Sequence, residues 1–312
     1  MAEQIKLNNP LLAAVWPGMG SVAISAGYYL MAKLGMHELA EFGSRGFNDI
    51  DQIAVKDGMI QPARWPRSRL FVWQHPNHLR DIVVFIGEAQ PPLGKYSFCE
   101  SLIEFVQKLG VRQVYTFAAM ATQMHPEQPS RVFGAAIDEQ SLQELKDAEL
   151  VILEDGNIGG LNGVLLAAAA DKGLRGACLL GEMPHIFAQL PFPKASLAVL
   201  QVFSQIAEIE IDFTELSQQA DSMDEQLGQL LARVETAIAE RARSSDEGEE
   251  SFGSEFEQEP GLAPEDEKLI ERLFAEAKQD RSKAYELKRE LDRLDVFGEY
   301  EDRFLDLFKK SD

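Results

Sequence analysis

From Leu11 to about Ile211 the chain alternates two hydrophobic rhythms. The runs LLAAVW, RLFVWQH, DIVVFIGEAQ, RQVYTFAAM, RVFGAAI, LVILED and GACLLGEM read as strands, several of them apolar enough to be buried on both faces. Between them, Ser21–Leu34, Ser97–Leu109, Gln140–Asp147, Leu161–Lys172 and Ala195–Ile206 repeat their apolar residues at helical spacing. Alternation of this kind predicts a sheet with helices on both faces. Residues His37 to Pro91 lack a helical rhythm, so part of the sheet is expected to be antiparallel.

The rhythm changes at Asp212-Phe-Thr-Glu215, which has the Asp-x-x-Glu form of a capping box. Leu216, Ala220, Met223, Leu227, Leu230, Val234 and Ile238 then recur at three- and four-residue spacing, predicting one amphipathic helix to about Glu240. Residues 244–267 hold ten acids and no lysine or arginine among Gly, Ser and Pro, a composition that cannot offset its ordering entropy. A disordered acidic linker is expected there, with its boundaries set at 244–264. Pro264-Glu-Asp-Glu opens a second helical piece, with proline and acids where a helix N-terminus favours them. Ile270, Leu273, Ala277, Ala284, Leu287, Leu291 and Leu294 form a seam broken by Asp280; past Gly298, Tyr300, Phe304 and Phe308 form a second stripe. So small an amphipathic tail, residues 265–312, is predicted to dock on the Leu216–Ile238 face or across a subunit boundary.

Charge narrows the partners. At 312 residues and 45% hydrophobic the chain can bury a sizeable core, and its net charge of −21 repels nucleic acid and anionic membranes. The densest basic stretch, Arg64-Trp-Pro-Arg67-Ser-Arg69, is short and reads as a loop or strand edge. Only two cysteines occur, Cys99 and Cys178, both in apolar segments, which argues against a disulfide framework or a zinc site. The first ten residues lack the pattern of a signal peptide, and the longest apolar run, Val164–Ala170, is too short to span a bilayer. A cytoplasmic protein without a metal or cofactor is the expectation.

Three stretches could carry chemistry. Gly18-Met-Gly20-Ser21-Val-Ala23 has the Gly-x-Gly-x-x-Ala form of a dinucleotide fingerprint, with Glu38 and Glu41 at about the distance of a ribose-binding acid. Pro17 ahead of it and the long non-helical stretch behind it favour a tight corner instead. Asp155-Gly-Asn-Ile-Gly159-Gly160-Leu-Asn-Gly163 is a second glycine turn into a helix, so Gly18, Gly20, Ser21, Gly159 and Gly160 would be the nucleotide-binding set. The third, Gly181-Glu182-Met-Pro184-His185, ends a buried strand where an open α/β sheet places catalysis; Glu182, His185 and Asp155 would be the catalytic set. No Gly-x-Ser-x-Gly elbow or Cys–His pairing accompanies them.

Six motifs follow one another along the chain: Trp16-Pro17-Gly18-Met-Gly20, Gly87-Glu-Ala-Gln90-Pro91, Leu109-Gly-Val111, Gly159-Gly160-Leu-Asn-Gly163, Leu180-Gly181-Glu182-Met-Pro184, and Ile211 to Leu216 at the start of the following helix. Taken in this order they resemble a family, the proteasome assembly chaperone 2-like (PAC2) proteins. The resemblance spans about residues 10–240. It implies a three-layer α/β sandwich with a mixed sheet, similar to the purine nucleoside phosphorylase/hydrolase-like fold, here with a C-terminal helical extension. It also implies a tendency to form homo-oligomers and a role in binding other protein chains, a proteasome-like assembly among them, with the Pro-Gly-x-Gly turn a structural corner. Some members dock through a C-terminal hydrophobic-Tyr-any tripeptide; this sequence ends Lys310-Ser-Asp312 and departs from that pattern.

Two readings stand at this point. One is a non-enzymatic interaction or assembly protein, with residues 1–211 its α/β domain and 212–243 that domain's last helix. The other is a phosphorylase-, hydrolase- or nucleotide-binding-type enzyme using a sheet-end pocket between Gly18–Ser21, Glu154–Gly160 and Glu182–His185. Convergence of these stretches on a concave, acid-lined pocket would favour the second.

Overall fold

A computed structural model describes residues 6–50, 53–56, 58–243 and 262–309. In chain order the elements are β1 (Leu11–Val15), α1 (Val22–Lys33), β2 (His37–Glu41), β3 (Val55–Lys56), β4 (Met59–Ile60), β5 (Ser68–Trp73), β6 (Ile82–Gly87), α2 (Lys95–Lys108), β7 (Gln113–Thr122), β8 (Val132–Ala136), α3 (Glu139–Asp147), β9 (Val151–Ile152), α4 (Gly160–Asp171), β10 (Arg175–Pro184), α5 (Pro193–Ala207), α6 (Thr214–Arg243), α7 (Pro264–Gln279), α8 (Ala284–Arg293) and α9 (Phe297–Asp306). Among the described residues the main sheet has eight strands in the order β2-β5-β6-β1-β7-β10-β8-β9, and β3 and β4 form a separate hairpin.

Four central strands, β6, β1, β7 and β10, run parallel, with Ala13 opposite both Val84 and Tyr115. Their near-continuous apolar sequences follow from burial on both faces. Leu12, Ala14, Phe85 and Cys178 pack with α2 and α4 on one side, while Ala13, Val15, Phe117 and Leu179 pack with α1 and α5 on the other. The antiparallel flanks are β5 and β2 at one edge and β8 at the other, as the helix-free stretch from His37 to Pro91 predicts for its own part. The architecture is thus an α/β sandwich around a mixed sheet, extended by C-terminal helices.

Several expectations change in detail. LVILED contributes only the two-residue edge strand β9, and β2 is a strand that the sequence reading did not single out. The capping box is half realised: Asp212 Oδ1 accepts from Thr214 N at 2.9 Å, but Glu215 pairs with Lys33 Nζ at 2.8 Å instead of reaching back. An available cation on α1 outcompetes a backbone N–H for that carboxylate. The chain break near Gly298 falls earlier, at Leu294–Val296, and Gly298 itself lies inside α9. Residues 244–261, most of the expected linker, fall outside the described residues.

The tail docks, and chiefly elsewhere than on α6. Ile270, Leu273, Ala277, Ala284, Leu287 and Leu291 are buried, joining the core on the α1 side of the sheet. Tyr28 of α1 meets Phe297 and Phe304 edge-on, Tyr29 meets Tyr285, and Phe71 of β5 meets Phe308. The Phe308 carbonyl accepts from Glu38 N at 2.7 Å, bonding the tail to edge strand β2. Contact with α6 includes Tyr285 OH donating to Gln219. Two tyrosines on α1 and Phe71 of β5 supply the aromatic surface on which the tail packs.

Candidate functional site

Parallel strands end together, so the segments after β1, β6, β7 and β10 meet at one end of the sheet. The motif residues gather there. Gln90, just past β6, bridges both glycine turns: its Nε2 donates to Pro17 O at 3.2 Å, and its Oε1 accepts from Leu161 N at 3.2 Å in the first turn of α4. Pro91 beside it is buried. A single side-chain amide thus ties Pro17–Gly18 to Gly159–Gly160.

The first turn is also fixed to the segment after β10. Gly20 N donates to Ala188 O and Phe192 N donates to Gly20 O, both at 2.9 Å, while Ser21 N donates to Gly18 O at 3.0 Å. Gly20 has φ 61°, and a Cβ there would lie 2.5 Å from Met183 Sδ. Its left-handed backbone favours glycine, and an added methyl would make the flexible Met183 side chain shift. The N–H groups that a phosphate would need at this turn, those of Gly20 and Ser21, already have protein acceptors. Ser21 itself caps α1 at φ 50° without a side-chain cap bond.

In the second turn Gly163 lies within α4, where an added Cβ would fall on the Ile158 carbonyl oxygen, far inside contact distance. It lets the loop and the helix close on each other.

Gly181, Glu182 and Pro184 are among the last residues of β10. Glu182 is buried and grips Arg131 in a fork: Nε donates to Oε2 at 2.7 Å and Nη2 to Oε1 at 2.6 Å. Thr122 Oγ1 donates to the same Oε1 at 2.8 Å, and Glu182 N donates to Arg131 O. The Arg131 hydrogen bonds, helped by Thr122 and opposed by burial, hold the Glu182 carboxyl below its usual range. It is therefore ionised at neutral pH and has no proton to donate. His185 is exposed, its Nδ1 donating to Thr122 O at 3.1 Å. Asp155 lies exposed in the loop between β9 and α4, and among the described residues no hydrogen bond or ion pair joins it to Glu182 or His185.

Among the described residues no group of three or more His, Cys, Asp or Glu could hold a metal ion. Cys99 and Cys178 are buried free thiols, each pushed up to about 12 by burial. No helix among the described residues is long and apolar enough to cross a membrane.

The densest charge network lies elsewhere, on the basic stretch that reads from sequence as a plain loop or edge. Arg69 of β5 is 1% exposed and bonds Glu88 Oε1 at 3.2 Å, Asp306 Oδ1 at 3.5 Å and Asp302. Arg67 bonds Glu41 at 2.5 Å and Asp302 at 3.1 Å, and Arg64 bonds Asp302 at 3.2 Å. A cavity of about 400 Å³ adjoins it, lined by Glu41, Ser44, Arg45, Arg64, Trp65 and Arg67 among others. The sequence signal was the spacing Arg67-x-Arg69, which puts two cations on one side of extended chain at the entry to β5. Thr122 and Arg131 had no local signal; only the β7–β10–β8 register brings them to Glu182.

A mixed-sheet sandwich whose motif segments lock together at the strand ends matches one family: a PAC2 family model covers residues 13–231, and the chain belongs to that family. Among similar solved structures, Pyrococcus furiosus PbaB, an archaeal proteasome activator, is 25% identical with a TM-score of 0.62, over 75% of this chain and 96% of that one. A Mycobacterium tuberculosis proteasome-assembly chaperone homologue is 24% identical with a TM-score of 0.61, over 70% of this chain and 94% of its own, a likeness of fold. An uncharacterized protein of Methanocaldococcus jannaschii is 28% identical over 79% of this chain and 92% of its own length.

Proposed function

We propose that this chain is a non-enzymatic, protein-binding member of the PAC2 family that acts on a proteasome-related assembly. The observation carrying this reading is the family match over residues 13–231 together with the likeness to an archaeal proteasome activator along nearly all of that protein. The sheet end supports it. Gln90 ties its two glycine turns together, and the buried acid Glu182 is neutralised by an arginine fork.

The chain acts as an oligomeric scaffold in the cytoplasm. Its β3–β4 hairpin supports this, since Val55, Met59 and Ile60 are exposed on a two-stranded unit too small to be stable alone. Sedimentation velocity of the purified protein, alone and mixed with the purified proteasome core particle of its source cell, tests both parts. Alone it should sediment as a multiple of its own mass, and in the mixture part of it should move with the core particle. Separate boundaries at every concentration would contradict partner binding, and a monomer mass would contradict the scaffold.

A further inference from the structure

The face of β5 and α1 that the tail covers has the properties of a ligand groove. Its floor is aromatic, made by Tyr28, Tyr29 and Phe71, and its rim is Arg64, Arg67 and Arg69, in a chain whose net charge is −21. What fills it is an acidic helix: α9 lays Phe304 against Tyr28 and sets Asp302 and Asp306 against the arginines. The tail that carries α9 lies outside the family match, and its first helix, α7, is joined to α6 by twenty residues, 244 through 263.

The fit is incomplete in ways that point to another ligand. Arg69 is fully buried, yet the tail carboxylates serving it are 44% and 45% exposed, and its Nε has no hydrogen-bond partner among the described residues. Beside it the basic surface continues past α9 into the 400 Å³ cavity, where Arg45 stacks over Trp65 at 5.3 Å and pairs with no carboxylate among the described residues. The groove's two best-paired arginines also have partners outside the tail. Arg67 keeps Glu41 and Arg69 keeps Glu88, both carried by the body, so departure of α9 strands no buried cation.

We propose that this groove is a docking surface for an acidic helix with spaced aromatic residues, supplied by a partner protein, and that the chain's own tail is its tethered competitor. Helix-in-groove recognition needs the two features present, apolar anchors a turn apart and charges matched to the rim. The covalent link makes docking of the tail an intramolecular event, so only a better-fitting helix displaces it. The surface is independent of the proteasome-related reading, and its test involves no proteasome component.

The probe is a fluorescent synthetic peptide of residues 264–309, titrated into the full chain. The wild-type chain should bind it poorly. A full chain carrying Asp302→Arg and Phe304→Ala, which weaken the tail and leave the groove unchanged, should bind it at least tenfold more tightly, less so at high salt. Adding Arg69→Met to that variant should remove the gain. As a route that leaves every described residue in place, a protease site introduced within 244–261 and cut in the full chain should let the labelled peptide exchange for the nicked tail. The proposal is overturned if the weakened chain, folded by circular dichroism, binds no better than wild type, or if the nicked chain never exchanges. It is also overturned if the weakened chain instead dimerises through this face and the peptide cannot separate the copies, since a second copy would then be the occupant.

Discussion

The glycine-turn corner at the strand ends and the β5 face beneath the tail differ in how their polar groups are used. At the glycine turns the bonds stay within the residues of the α/β body: Gln90 joins two loops, Gly20 exchanges bonds with the 188–192 segment, and Glu182 is closed off by Arg131 and Thr122. On β5 the arginines reach across to a segment more than two hundred residues away in sequence, through carboxylates nearly half exposed. The first arrangement builds a fixed corner and the second a joint that can open. Motif-like sequence marks the corner, whereas the joint is made by residues that look ordinary in sequence.

The largest effect should come from the joint. Phe304 is fully buried among Tyr28, Phe297 and Phe308, so Phe304→Ala should cost the docked tail about 3–5 kcal/mol. Hydrophobic-dye binding should rise while the sheet keeps its circular dichroism. If the whole chain unfolds instead, tail and body form one cooperative unit and the contrast fails.

Next comes the corner. Gly163→Ala places a methyl against the Ile158 carbonyl and should destabilise the body by roughly 2–3 kcal/mol, read from denaturant unfolding. Gly20→Ala should cost less, roughly 1–2 kcal/mol, because the Met183 side chain it meets is flexible though the φ of 61° remains unfavourable. Variants that melt like the parent would show the corner to be loosely packed.

The arginine fork at Glu182 predicts a pH signature. The carboxyl is held below its ordinary value, so the stability it adds is complete above the ordinary glutamate range and is lost as pH falls through the lowered folded-state value. Melting temperatures of the parent and Arg131→Ala should therefore differ most at neutral pH and converge on acidification. A difference that does not change with pH would mean that the fork contributes packing alone.

The smallest effect concerns the joint again. Burial pushes the Glu301 carboxyl up, against a hydrogen bond donated by Tyr28 at 2.7 Å, so its charge opposes docking at neutral pH. At its neighbour Asp302 burial pushes the same way, but the arginines outweigh it and hold that carboxyl down. Glu301→Gln keeps an acceptor for Tyr28 and removes the charge; it should strengthen tail docking by less than about 1 kcal/mol. The gain should fade as pH falls through the raised value, where Glu301 protonates on its own. Weakened docking in the glutamine variant would mean that its attraction to Arg64 and Arg69 outweighs its burial.

Much of this was legible in the sequence. Runs such as DIVVFIG announce buried parallel strands because no polar residue interrupts them, and the tail's seam from Ile270 to Leu291 announced a face that had to be covered. Where that face would dock was not legible, since the choice between α6 and the Tyr28–Tyr29 face of α1 depends on tertiary geometry. The glycine motifs could be found but not interpreted. Whether Gly20 offers its N–H to a phosphate or to Ala188 depends on a loop 168 residues further on. Arg64, Arg67 and Arg69 were visible as charges; the burial of Arg69 was not, because a strand buried beneath a distant helix reads locally like an edge strand.

Hydrogen exchange of the full chain tests the contrast most directly. The central claim is that the corner belongs to the core and the tail is a separable joint. Amides in α8 and α9 should then exchange through an opening of lower free energy than those of Gly20, Ser21, Leu161 and the strands β1, β7 and β10. Salt and Asp302→Arg should accelerate the tail alone. Equal protection of tail and corner, changing together under both treatments, would contradict the account.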